Sequence, residues 1–171
     1  GGMFISPNDA LRYAQQMVRD GADIIDIGGE SSRPGSLPVS AKEEMKRILP
    51  VIKAISKKLK IPVSVDTYKP EAAKAALDVG ASIINDITGL RYKKGQMAEV
   101  ASKYKVPVIV MHMQGMPSSM QKDPAYKDVV MEISDFFEDR IKFAVSKGIE
   151  PKKIILDPGI GFGKTVVHNI E

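Results

Sequence analysis

Polar side chains that can read a ligand recur at the ends of short apolar runs in this chain. Asp26 follows Ile24 and Ile25, Asp66 follows residues 61–65, and Asn85 and Asp86 follow residues 82–84. His112 follows residues 106–111, and Asp157 follows residues 154–156. A carboxylate accepts two or more hydrogen bonds, and an Asn amide both donates and accepts. Gathered around one pocket, these groups would read the N–H, NH2 and C=O edge of a flat heterocycle. Two other readings stay open on the residues alone. Asp-rich sites also suit Mg2+, and any single acidic group at a strand end can cap the helix that follows. A lone His is more often a satisfied structural group than a catalyst, and His112 is read that way. No Ser-His-Asp arrangement is legible, and no spacing suggests a zinc site.

Two Gly-rich loops stand beside these groups. The first is Gly28-Gly-Glu-Ser-Ser-Arg-Pro-Gly-Ser36. Its glycines let backbone approach a ligand closely, and its Ser hydroxyls and Arg fork suit a carboxylate or phosphate. It lacks the Gly-Lys-Ser/Thr of a Walker loop and the spacing of a dinucleotide fingerprint. The second is Asp157-Pro-Gly-Ile-Gly-Phe-Gly-Lys164, either a phosphate-cradling turn or a tight strand-to-helix connection. Met111 and Phe162 suit the apolar walls of a flat pocket, or equally the core. Met113, Met116 and Met120 fall in a Gln-Gly-Met-Pro stretch that reads as a mobile loop.

One unit repeats around these residues: polar helix, Gly or Pro break, β-branched run, polar loop. The patterning predicts helices over residues 7–20, 40–60, 70–79, 96–104 and 129–146. It predicts strands over residues 23–28, 61–66, 81–87, 106–112 and 154–157. Ser6 is placed to cap the first helix, with Pro7 at its first position. Ser40 caps the second, and Glu43 completes a capping box. Residues 165–171 read as the first turns of a further helix. Alternating strands and helices argue for parallel βαβ units. The strands are nearly all apolar, as expected when both faces are covered. Active sites of such folds sit at the carboxyl ends of the strands, so all these polar ends are expected to aim at one place. A closed eight-fold barrel takes ~250 residues, and periodicity alone does not separate an open sheet from a barrel segment.

The chain has 171 residues, 43% hydrophobic and 27% charged, a composition that suits one globular domain. Cys is absent, which excludes disulfides and thiolate metal sites and fits a reducing cytoplasm. Trp is absent too, so Ile, Val, Leu, Ala and Met must build the core. The net charge of +4 is scattered, with no nucleic-acid-binding motif, though it would suit a phosphorylated small substrate. No apolar run is long enough for a bilayer and no signal peptide is visible. Neither a nucleic acid nor a membrane is an expected partner. The Gly1-Gly2-Met3 opening and the close at residues 165–171 read as the ends of a piece of a longer chain.

Together the motifs resemble the dihydropteroate synthase family. Asp26-Ile-Gly-Gly-Glu-Ser-Ser-Arg-Pro-Gly35 resembles the family's 4-aminobenzoate-side loop. Val63-Ser-Val-Asp-Thr67, Ile84-Asn-Asp-Ile87, Met111-His-Met-Gln-Gly115 and Asp157-Pro-Gly-Ile-Gly-Phe-Gly-Lys164 follow in family order. The resemblance implies an α/β fold, a (β/α)8 TIM barrel represented by about five consecutive βα units. It implies one pterin-binding domain over residues 1–171, incomplete at both ends. The implied reaction moves a dihydropterin methyl group from its diphosphate to the amine of 4-aminobenzoate, with Mg2+ assisting departure of diphosphate. By that pattern Asp66, Asn85 and Asp157 hold the pterin edge, Asp66 and Asp157 being the catalytic carboxylates. Ile87, Met111 and Phe162 line its faces, and Ser32, Arg33 and Pro34 lie on the 4-aminobenzoate side. The family's metal-linked Asn precedes residue 1, so no metal ligand is assigned within the chain. The family's last two strands, with a pterin-binding Lys and a diphosphate-binding Arg-x-His, also fall outside it. The parent is expected to be a cytoplasmic homodimer. The rivals are a corrinoid-type pterin-binding methyltransferase domain, which shares the barrel, and a non-catalytic pterin-binding remnant. The Gly-Glu-Ser-Ser-Arg-Pro-Gly and Met-His-Met-Gln-Gly stretches favour the synthase.

Overall fold

A computed structural model describes residues 6–171, so the Gly1-Gly2-Met3 opening lies outside the described residues. Five strands are present: β1 (Ile25–Gly28), β2 (Val63–Asp66), β3 (Ile83–Asp86), β4 (Val108–Met111) and β5 (Ile154–Asp157). They alternate with α1 (Pro7–Arg19), α2 (Ala41–Lys58), α3 (Pro70–Asp78), α4 (Gln96–Tyr104) and α5 (Val129–Ser146). The strands pair in parallel and in chain order, forming an open sheet. Every predicted helix and strand is found, the first four strands trimmed and the fifth with its predicted bounds. Pro62 and Pro107 have no N–H to give a ladder, so β2 and β4 begin just after them, while their carbonyls still accept from Ile25 and Ile84 at 3.1 Å.

The local signals act through identifiable bonds. The Ser6 hydroxyl accepts from the Asn8 amide at 3.3 Å, with Pro7 opening α1. The Ser40 hydroxyl accepts from the Glu43 amide at 3.2 Å. The other half of the expected capping box is not made: the Glu43 carboxylate faces forward and accepts from Arg47 Nε at 2.9 Å. Residues 165–171 differ from expectation too, forming a single 3-10 turn at Val167–Asn169.

Side chains alternate across each strand, and this alternation sorts the sheet into two faces. Ile25, Val63, Val65, Ile84, Val108 and Val110 point to the helices and are essentially inaccessible. They pack with Ile48 and Ile52 of α2, Ala73 and Ala76 of α3, and Met97, Ala98 and Ala101 of α4. Each fully buried Val or Ile there contributes about 1.5–3 kcal/mol. The other face carries Asp26, Ser64, Asp66, Asn85, Ile109, Met111 and Asp157, and it holds the site.

Candidate active site at the strand ends

Strand register determines which polar groups meet. Gly28 lies beside Asp66, Asp66 beside Asn85, and Met111 beside Asp157. Asp66, Asn85 and Asp157 therefore project from one face of the sheet near the carboxyl ends of three strands. Asn85 Nδ2 donates to Asp26 Oδ2 at 3.3 Å, while Asn85 Oδ1 is buried with no protein partner. A buried, unpartnered amide oxygen suits an incoming N–H donor. Burial, followed by the charges of Asp26, Glu44, Asp86 and Glu30, pushes the Asp66 carboxyl up to about 7. A Cβ on Gly28 would stand 2.9 Å from Asp66 Oδ2, so the glycine leaves room for that carboxylate.

Ile87 and Met111 are buried in a compact apolar cluster with Tyr68, Met113 and Met120, against which Phe162 and Tyr92 pack. All three expected wall residues thus meet. The adjoining cleft is lined by Glu30, Ser31, Ser32, Asp66, Thr67, Tyr68 and Ile87. Ser32 of the first loop thus faces the same cleft as Asp66. Arg33 and Pro34 stand exposed at the loop tip, and that tip meets the Met-rich segment where the Gly35 amide donates to the Pro117 carbonyl at 3.4 Å. Sequence reasoning missed Tyr68, Met113 and Met120 as site walls. The signal for Tyr68 was available in its place just after Asp66-Thr67. The stretch read as a mobile loop is stitched down: Gln114 exchanges bonds with the Ala125 backbone at 2.9 and 3.1 Å, and Gln121 Nε2 donates to the Gly161 carbonyl at 2.6 Å.

Two polar strand ends do not join the site. Asp86 points to the helix side and is fully buried. Its carboxylate accepts from the Thr88 amide at 2.8 Å, the Thr88 hydroxyl at 2.7 Å and the Leu90 amide at 3.1 Å, holding the turn after β3. His112 is buried edge-on to Phe136 at 4.9 Å. Burial, with Lys164 and Arg91 nearby, lowers its pKa to about 4, so it is neutral near pH 7. Its Nδ1 faces Lys164 Nζ at 3.0 Å, and that ammonium also donates to the Gly159 and Phe162 carbonyls at 3.0 and 3.1 Å. Gly159 has φ +68°, and a Cβ there would sit 2.1 Å from the His112 carbonyl oxygen. The second Gly-rich loop is thereby a tight connection, clamped onto β4 by Lys164. It places Phe162 on the wall, and Asp157 Oδ1 accepts from the Gly159 amide at 2.8 Å.

The sequence profile described as pterin binding enzyme matches residues 1–171. The chain belongs to the pterin binding enzyme family. The dihydropteroate synthase of Synechocystis is 46% identical over 170 residues, covering 99% of this chain and 58% of that protein. That of Escherichia coli is 46% identical over 169 residues, covering 99% and 59%. The Yersinia pestis dihydropteroate synthase, solved with a sulfonamide drug complex, superposes with a TM-score of 0.95 at 43% identity, covering 99% of this chain and 61% of that one. The Xanthomonas albilineans enzyme with 4-aminobenzoic acid superposes with a TM-score of 0.89 at 39% identity, covering 99% and 59%. The chain therefore spans about three fifths of the length of the curated relatives it matches.

Against such relatives, the open sheet of this pterin binding enzyme is the arc of a (β/α)8 barrel. Asp66, Asn85 and Asp157 line what is the barrel's inner face, at its carboxyl end. Among the described residues no three His, Cys, Asp or Glu side chains are arranged to hold a metal ion. The described carboxylates therefore form no all-protein cage for a metal, whereas Mg2+ more often takes one or two carboxylates together with substrate phosphates. Among the described residues no helix is long and apolar enough to cross a membrane.

Proposed function

We propose that this chain is the pterin-binding part of a dihydropteroate synthase. The parent would condense (7,8-dihydropterin-6-yl)methyl diphosphate with 4-aminobenzoate, giving dihydropteroate and diphosphate for folate synthesis. The observation that carries the reading is the polar edge of Asp66, Asn85 and Asp157 beside the wall of Ile87, Met111 and Phe162. That pairing suits a flat ring with donors and acceptors along one side. The names of the matched relatives support it. A homodimeric parent working in the cytoplasm belongs to the same proposal, and the lack of Cys is consistent with that compartment.

In this reaction the bond from the pterin methylene to the diphosphate oxygen breaks, and the electron pair leaves with diphosphate. The lone pair of the aromatic amine forms the new C–N bond, and the nitrogen then loses a proton. No strong base is needed, because a neutral arylamine is already nucleophilic. Positive character builds on the pterin as diphosphate departs. Fixed carboxylates in a half-dry cleft stabilise such charge far better than water does, and in this reading Asp66 and Asp157 would do that work. Asn85 Oδ1 would accept a ring N–H. Ser32, facing the same cleft as Asp66, and the exposed Arg33 and Pro34 would meet the carboxylate-bearing 4-aminobenzoate. Mg2+, in this scheme, would accompany the diphosphate.

The direct test is formation of dihydropteroate by the full-length parent protein, followed together with diphosphate release. Release without pteroate formation, or no dependence on 4-aminobenzoate, would overturn the assignment. A finer test uses the close approach at Gly28. Gly28→Ala is expected to push the Asp66 carboxylate aside and weaken pterin binding by about ten-fold, the loss of about one hydrogen bond to a charged group. Calorimetry showing unchanged pterin affinity would mean that Asp66 does not contact the ring.

A further inference from the structure

We propose that Glu30 is the positioning residue for the loop that meets 4-aminobenzoate, held by the buried ammonium of Lys69; this rests on the synthase reading above. Glu30 starts the loop, and its carboxylate makes three bonds that reach beyond its neighbours in the chain. Oε2 accepts from Lys69 Nζ at 2.6 Å and from the Val39 amide at 2.8 Å, and Oε1 accepts from the Tyr68 hydroxyl at 2.8 Å. The Val39 amide lies at the loop's far end, so one carboxylate clasps the loop shut. Arg47 Nη1 adds a bond to the Gly29 carbonyl at 2.9 Å.

The clasp is built from charge in a nearly dry place. Lys69 and Glu30 side chains are 7% and 12% exposed, and Lys69 also pairs with Glu44, 1% exposed, at 2.5 Å. Taking such charges from water is expensive, and apolar replacements often stabilise a fold as well or better. What an ion cluster supplies instead is direction: each bond holds only in one geometry. Burial would lower the Lys69 pKa, but its bonds to Glu30 and Glu44 outweigh that and raise it to about 12. The clasp is therefore charged throughout the neutral range.

Between the anchors the loop is held mainly by bonds within itself, the Ser36 amide donating to the Arg33 carbonyl at 3.1 Å among them. Ser36 Oγ donates to the Ser31 carbonyl at 2.5 Å, the Arg33 amide donates to Ser31 Oγ at 3.3 Å, and Gly35 reaches Pro117 at 3.4 Å. Ser32, Arg33 and Pro34 thus ride on a stretch whose place is set from Glu30. Asp66, Asn85 and Asp157 are held by the sheet; Glu30 reaches this group only as the last of the four charges that bear on Asp66 and through the hydroxyl of Tyr68. Loss of Glu30 should therefore separate the two substrates.

The variant to make is Glu30→Ala in the full-length protein, because Lys69 keeps its Glu44 partner and the fold keeps its ion pair. The expected result is a KM for 4-aminobenzoate raised about ten-fold or more, with pterin affinity and kcat each within about three-fold of wild type. Glu30→Gln, which retains an acceptor oxygen for Val39 or Lys69, should recover part of the loss. Hydrogen exchange at the Val39 amide should accelerate in Glu30→Ala, whatever the reaction proves to be. An unchanged KM in an active enzyme, a parallel fall in pterin affinity, or unaltered exchange at Val39 would each overturn the proposal. A wild-type protein that makes no dihydropteroate would instead sink the reaction assignment, and exchange at Val39 would then decide the clasp alone.

Discussion

Asp66→Asn is expected to make the protein more stable at pH 7 while removing most of its pterin affinity. The Asp66 carboxyl is raised from 3.8 to about 7, first by burial and then by the charges of Asp26, Glu44, Asp86 and Glu30. Between those two values the folded protein keeps a proton that the unfolded chain has released. Stability therefore falls as pH rises from about 4 to 7, and levels off above. At about 1.4 kcal/mol per pH unit, the full shift corresponds to an upper bound of about 4 kcal/mol, which relaxation and water in the cleft reduce. A gain of about 1–2 kcal/mol for the amide, or a few degrees in Tm, is the realistic expectation. The variant should also lack that segment of the wild-type stability-against-pH curve. Asn keeps the shape of the side chain but trades an acceptor-only group for one that also donates. Charge-assisted bonds of about 1.5–3 kcal/mol each are lost, so pterin binding should weaken about 10- to 100-fold. Wild-type affinity should rise as pH passes upward through 7, because the carboxylate form accepts the ring's N–H groups. Thermal melts from pH 5 to 8 and calorimetry with a pterin check both arms. A variant no more stable than wild type at pH 7, or one that binds pterin normally, would contradict the reading.

That trade locates the site physically. Four carboxylates bear on Asp66, and among the described residues no ammonium forms an ion pair with it. A fold selected only for stability would not gather them. The proposed function would explain the arrangement, because positive character developing on a bound pterin would be favoured there. Lys69, the nearby ammonium, is taken up by Glu30 and Glu44 and so leaves Asp66 unpaired.

The strand ends show how far sequence patterning reaches. Apolar runs between polar loops were enough to find all five strands and the polar groups at their ends, but the choice of Asp66, Asn85 and Asp157 among those groups came from the family resemblance. What the runs did not convey was the pleat phase. In Ile83–Asp86 the neighbours Asn85 and Asp86 point to opposite faces, and only register against β2 and β4 says which one enters the site. The walls were half legible for a similar reason. Ile87, Met111 and Phe162 stand in recognisable motifs, but Met113 and Met120 reach the same cluster from a segment with turn-like composition. His112 looked ambiguous because its partner, Lys164, lies far along the chain. The Glu30–Lys69–Glu44 assembly was not foreseen at all, since it joins three elements by side-chain contacts that leave no periodic trace.

Asp86→Ala is expected to do the reverse of Asp66→Asn: stability should fall by about 3 kcal/mol, since buried donors left unmatched carry such penalties. Burial raises the pKa of Asp86 as well, so titration alone does not separate these two carboxylates. Their bonding does. Asp86 accepts from two amides and a hydroxyl inside the protein, and Ala would orphan the Thr88 and Leu90 amides next to the core. Asn is an incomplete substitute, because its Nδ2 cannot accept from whichever donor it faces, and about half the loss should persist. The turn that Asp86 ties leads from β3 through Ile87, a wall residue, so pterin affinity should drop only as far as the turn loosens. Denaturant melts of both variants alongside Asp66→Asn make the comparison. Matching stability changes for Asp86→Ala and Asp66→Asn would mean that the two carboxylates share one environment, contrary to the pleat assigned to β3.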